Sequence, residues 1–305
     1  RGTKVATAPD VLFLPSGHLN IPAGIRTLSN GLFREEAEKA LEANSYHSGF
    51  YFTPSVRNDS LYAMKDAKSP QSSSTFQGLT NTVSLFIEIR GIGLGRACFA
   101  RRAECGFLVS RSLLETAALH SKEVRSEIRK AVKETCSGKS DISVTFQSAR
   151  TELPVTFIDL AKNERFTEPL PTFDALQLKA ELVRKRPKAY ILPNTCRMQA
   201  EKLRALGIEV EEIGKTFTAT VEKYIVTGYK KVTKEWEKIY PVTVSTRTVK
   251  EKKNFPTGCF IIPLSQKNAN LAVTLLEPES VNGFVNFEVV HTEFGKELPI
   301  YRKGF

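Results

Sequence analysis

Glu88 and Arg90 are the residues whose types and spacing most directly suggest chemistry. Both interrupt an otherwise apolar run, Val83-Ser84-Leu85-Phe86-Ile87-Glu88-Ile89-Arg90. In a strand, positions i and i+2 point to the same face. An ionised carboxylate removed from water without a partner costs several kcal/mol, so such a residue is either paired or lines a site. One reading is a structural ion pair near a strand end. The other is a carboxylate at the carboxyl end of a sheet strand, where open α/β sheets place their sites.

The elements that would position this pair are legible around it. Val11–Leu14 reads as a strand, followed by the loop Pro15–Asn20. Ile25, Leu28, Leu32 and Leu41 recur at near-helical spacing, with Glu35, Glu36, Glu38 and Lys39 on the other side. Phe50–Thr53 reads as a short strand and the polar stretch Val56–Ser74 as a long loop of the kind that often carries function. Gly91-Ile92-Gly93-Leu94-Gly95 breaks the Glu88 strand sharply. Its third glycine comes one residue too early for a G-x-G-x-x-G dinucleotide loop, so the glycines are read as a strand-to-helix turn. A long helix is expected from about Ala97, continuing or restarting through Lys133.

From about Lys139 strand-like segments dominate: Ile142–Phe146, Val155–Ile158, Lys188–Leu192, Thr216–Val226, Val242–Thr248 and Cys259–Ile262, with helices at Arg197–Leu206 and Ala269–Leu275. The segment Ala189–Leu192, the helix after it and Gly207–Val210 have the look of a small β-α-β element. The expected organisation is a domain over 1–138 and a β-rich module over 139–305.

Composition narrows the function classes. The 305 residues include 44 Lys and Arg against 33 Asp and Glu, a net charge of +11. Residues 1–138 hold 18 basic and 13 acidic side chains and residues 139–305 hold 26 and 20, so the excess is spread evenly. Nucleic-acid binders concentrate charge on one face among aromatics, and that class is disfavoured here. No window approaches the roughly 18–20 apolar residues of a membrane span. Five cysteines, none in a C-x-x-C pair, argue against a structural zinc knuckle and a dense disulfide framework. The opening Arg1-Gly2-Thr3-Lys4, with no initiator Met, is read as the start of a fragment or a processed chain.

The segment Gly78–Gly93 resembles the strand bearing the catalytic glutamate of zinc metallocarboxypeptidases, the carboxypeptidase A-like family. The similarity extends to Asp10–Pro22, Phe50-Tyr51-Phe52-Thr53 and Arg101-Arg102. Arg186–Pro193, Leu206–Val210 and Leu275–Glu279 resemble the β-rich C-terminal extension of bacterial-type members. The resemblance implies an α/β fold, part of a mixed-sheet carboxypeptidase-like domain followed by a β-rich α+β module. It implies hydrolysis of peptide or amide bonds near a free carboxylate, with Glu88 as general base and then acid. Arg90 would support the strand end or bind substrate carboxylates. Tyr62, with Tyr51 as competitor, would be the substrate-covering tyrosine, and Arg57 a nearby substrate contact.

The resemblance also implies zinc, but the family's ligands and its Asn-Arg pair lie upstream of the catalytic strand, and no metal ligand is assigned in this chain. His18 lies at about the right separation from Glu88 to be a third ligand, yet its loop aligns beyond that position. His47, His120 and His291 read as structural. The zinc-binding half would then lie in a missing segment or a separate chain. Export to the periplasm or outside the cell is the localisation that the resemblance favours. The alternative is a non-catalytic peptidase-like binding protein.

Overall fold

The computed structural model describes residues 5–7, 9–57, 60–91, 95–236 and 238–304, with Val5, Ala6 and Arg57 described in their backbone alone. The chain is mixed α/β and divides into two compact units. The first comprises Arg1–Gly78, Thr82–Arg129 and Gln147–Lys179, the second Leu79–Asn81, Lys130–Phe146 and Ala180–Phe305. These units cross the expected boundary at 138/139, because the middle of the strand-rich region completes a sheet of the first unit.

In chain order the first elements are β1 (Val5–Thr7), β2 (Val11–Leu14), α1 (Ala23–Leu28), α2 (Arg34–Glu42), β3 (Ser48–Phe50), β4 (Thr53–Arg57), β5 (Ser60–Lys65), α3 (Ser73–Leu79), β6 (Phe86–Ile89), α4 (Phe99–Leu119), α5 (Ser121–Ser137), β7 (Ile142–Asp159) and β8 (Glu164–Arg184). A π-helical turn, Ser29–Phe33, joins α1 to α2. One sheet of the first unit has the order β3-β2-β6, the other β1-β7-β8-β5-β4. β2 runs parallel to β3 and antiparallel to β6. Alternation along β6 and the residues before it sends Leu85, Ile87 and Ile89 into a core with Val11, Phe13, Ala37, Leu41, Cys105 and Val109. That core locks the strand between α2 and α4. The opposite face carries Phe86, packed with Leu14, Ala67 and Ala175.

One difference from the sequence reading bears on the site. The stretch expected as a loop over Val56–Ser74 contains β5, paired antiparallel with β4 from Thr53↔Met64 to Arg57↔Ser60. Its inward positions, Ala63 and Lys65, are buried, and Lys65 Nζ lies 3.1 Å from Asp174 Oδ2 of β8. The helical stretch expected from about Ala97 restarts after His120, as α4 and then α5. Of the glycine-rich turn, residues 92–94 lie outside the described ones, as do Arg1–Lys4.

The second unit continues with β9 (Ala189–Leu192), α6 (Arg197–Ala205), β10 (Glu211–Ile213), β11 (Phe217–Lys231), β12 (Val242–Phe255), β13 (Cys259–Pro263), α7 (Ala269–Leu276) and β14 (Glu297–Lys303). Its sheet has the order β10-β13-β9-β14-β11-β12. β9 and β10 both pair antiparallel with β13, so they are parallel to each other with one strand between them. α6 ends in a Schellman closure: Gly207, at φ +77°, donates to Arg204 O, and Ile208 donates to Leu203 O at 3.0 Å. α7 is apolar on every side except Asn270 and Thr274 and is wholly buried, as that composition requires. No helix among the described residues is long and apolar enough to cross a membrane.

Candidate active site

Glu88 is the third residue of β6 and pairs in register with Leu12 of β2. Its side chain is partly buried, not fully buried as the sequence reading expects. The strand is held by its other face, so the carboxylate stands on a rigid support without being enclosed. Among the described residues it makes no hydrogen bond or ion pair, so the structural ion-pair reading finds no support at this carboxylate. Because β2 runs antiparallel to β6, the carboxyl end of β6 lies beside the start of β2 and β3, not at a carboxyl edge shared by parallel strands. The unpartnered acid is thus presented at the end of a mixed sheet, and its lone pairs are available to a water or a substrate proton.

Arg90, just beyond the end of β6, is exposed, and its backbone N–H donates to Asp10 O at 2.8 Å. Its side chain lines a cavity at the end of β6 with Asp10, Arg101, Arg102 and Arg165. Tyr51 packs edge-on against Phe86, with ring centroids 5.6 Å apart, on the β6 face that bears Glu88. Tyr62 sits on β5 against Phe173 of β8, at 5.8 Å, within the other sheet. Of the two tyrosines weighed from sequence, the structure therefore brings Tyr51 to the Glu88 face. The side chain of Arg57 lies outside the described ones; its backbone pairs with Ser60 at the end of the β4–β5 hairpin.

Three of the four histidines, His18, His47 and His120, are engaged elsewhere. His18 is buried, and its Nδ1 accepts the Asn20 backbone N–H at 3.2 Å. Burial, with help from the nearby Arg26 charge, lowers its pKa to about 3, so the ring is neutral. His47 Nε2 lies 2.9 Å from Arg165 Nη1. His120 and Glu123 stand in H-x-x-E spacing, which corrects the sequence reading that no histidine of this chain is followed by Glu three residues later. At the start of α5 they face each other, Nδ1 to Oε2 at 3.3 Å, and both are largely exposed. Among the described residues no group of three or more His, Cys, Asp or Glu is arranged to hold a metal ion. The side chains present therefore do not fit a zinc centre by themselves. All five cysteines are free.

Curated proteins named "Carboxypeptidase 2" from Trichophyton equinum and Trichophyton tonsurans are 29% and 28% identical to this chain over 296 residues, covering 97% of it and 55% of each of them. "Probable carboxypeptidase 2" of Arthroderma benhamiae is 29% identical over 274 residues, 88% of this chain and 52% of that protein. The chain spans about half the length of the curated relatives it matches. No family model and no solved structure matches it. The similarity covers nearly the whole chain, and the relatives' names support a carboxypeptidase family.

Proposed function

We propose that this chain carries the proton-shuttling half of a zinc-dependent carboxypeptidase-like site, with Glu88 as general base and acid. Its substrate is a peptide or amide bond near a free carboxylate. The observation that carries the reading is the Glu88 carboxylate itself: partly open to solvent, without a partner among the described residues, and fixed by a strand whose other face is core. A general base needs an accessible lone pair at a fixed position. In this role Glu88 takes a proton from the attacking water and returns it to the leaving amine.

Zinc would supply carbonyl polarisation and an acidified water. Its ligands are assigned to a separate chain or segment, because the described side chains do not form them. Tyr51 is the aromatic hydroxyl on the Glu88 face, and Arg90 is the nearby cation for a substrate carboxylate. The relatives' name, carboxypeptidase 2, supports the substrate class. Export from the cytoplasm remains part of this proposal.

The test uses the longest natural form of the protein and two peptides, one with a free C-terminal carboxylate and one amidated. Release of the terminal residue from the free peptide alone, lost on chelation and restored by zinc, is the expected result. Equal cleavage of the amidated peptide, or cleavage indifferent to chelation, contradicts the proposal.

A further inference from the structure

Of the residues that line the cavity at the end of β6, the hydrolytic reading uses Arg90 alone. It encloses about 180 Å³, and its lining includes four arginines, Arg90, Arg101, Arg102 and Arg165, against one carboxylate, Asp10. Asp10 is buried and already spent: it pairs with Arg101 through Oδ1 and accepts the His47 backbone N–H through Oδ2 at 3.0 Å. Arg102 Nη1 donates to Gly91 O at 3.0 Å and Nη2 to Gly95 O at 3.5 Å, while its buried Nε has no acceptor. Arg165 Nη1 lies 2.9 Å from His47 Nε2. Two guanidinium groups thus face carbonyl and imidazole groups, none of them an anion that would compensate their charge.

This orientation is built into the backbone. Gly91 adopts φ +147°, and a Cβ there would lie 1.8 Å from Arg102 Cδ. Only glycine lets the Arg102 side chain lie across the turn. Convergent like charges repel unless an anion sits among them, and guanidinium forks match the oxygens of phosphate and carboxylate groups. Two guanidinium charges held by non-anionic acceptors, those of Arg102 and Arg165, favour a dianion over a monocarboxylate. We propose that the cavity between β6 and the start of α4 is a binding site for a compact phosphate dianion, free or as a monoester. Arg102 and Arg165 are its principal contacts. Glu88 does not line the cavity, and Arg90, the residue the two readings share, is not one of the principal contacts, so the Arg102 and Arg165 variants test this site apart from the hydrolytic one.

The probe is inorganic phosphate, titrated calorimetrically into the full chain at ionic strength held constant with chloride. A single saturable site is expected, with acetate binding much more weakly. Exposed Cys98 also lines the cavity, so its alkylation by iodoacetamide, followed by peptide mass mapping, should slow when phosphate is bound. Arg165→Gln and Arg102→Gln should each weaken phosphate about tenfold or more, the loss of one charge-assisted contact. Gly91→Ala should do the same by displacing Arg102, and the Arg165 variant carries the test if the others fold poorly. O-phosphoserine run in competition separates the sources: displacement extends the site to esters, and its failure restricts the site to the free ion. Absence of saturable phosphate binding, equal binding of acetate, or unchanged affinity in a folded Arg165→Gln protein would overturn the proposal.

Discussion

The buried pair Lys65–Asp174 offers a sharp test of how the first unit is held together. The two charges lie 3.1 Å apart, each side chain only 6% exposed. At an effective dielectric of about 20 their attraction is about 5 kcal/mol, largely offset by the loss of hydration of both groups. Asp174 also accepts the Leu176 backbone N–H at 2.9 Å, and Lys65 Nζ lies 4.2 Å from the centre of the Phe50 ring. Lys65→Met removes the cation and strands a carboxylate among apolar groups, which should cost about 3–5 kcal/mol. Asp174→Leu should cost as much by stranding the ammonium. The double variant leaves no buried charge and should lie within about 1–2 kcal/mol of the parent, the residue being the lost hydrogen bond to Leu176. Equilibrium denaturation followed by far-ultraviolet circular dichroism gives all four corners of the cycle, and the coupling should reach several kcal/mol. Single variants that each cost less than about 1 kcal/mol, or a double variant that costs their sum, would refute the account of this pair.

His18 makes acid stability a signed prediction. Its folded pKa of about 3 lies below the unfolded 6.5, so the unfolded chain binds more protons as pH falls below 6.5. The stabilisation is intact above pH 6.5 and lost progressively as pH falls towards 3. Between pH 7.5 and 5 the parent should lose about 2 kcal/mol more than His18→Gln, and equal losses would sink the claim. Gly17→Ala would place its Cβ 1.8 Å from Ala175 O and should destabilise by about 2 kcal/mol or more. Gly31→Ala, in the π-helical turn with open space around it, should instead be neutral or stabilising by about 0.5–1 kcal/mol, and thermal melts distinguish the two. In the second unit the Tyr190 hydroxyl donates to the fully buried Glu277, which also accepts from Arg184 at 2.8 Å. Tyr190→Phe should cost about 1.5–3 kcal/mol, read by the fluorescence of Trp236 in the same unit, and a smaller loss would show that the arginines satisfy Glu277 alone.

The sequence was most readable where burial is uniform. The runs at β2, β6, β9 and β13 are short, apolar and bounded by polar or turn residues, and each formed a strand. β8 escaped notice because Pro169, Pro171 and many exposed charged positions disguise a strand that is half solvent-facing. β5 was hidden by the polar character of its surroundings, although Asn58-Asp59 are residue types favoured in two-residue turns. β14 carries Arg302 at a buried position, which becomes intelligible only beside Glu222 at 2.6 Å, a partner distant in the chain. At the candidate site, the spacing of Glu88 and Arg90 pointed to one face of one strand. That Glu88 lacks a partner, and that Arg90 opens onto a cavity shared with Arg165, depends on tertiary contacts that no local pattern encodes.

The role of Glu88 is tested most directly by Glu88→Gln in the longest natural form that releases a C-terminal residue from a peptide. The amide keeps the size of the side chain but takes no proton, so kcat should fall by about 10²–10⁴-fold with KM and the thermal midpoint little changed. A folded Glu88→Gln protein with near-parental kcat would contradict the assignment of the proton shuttle to this strand.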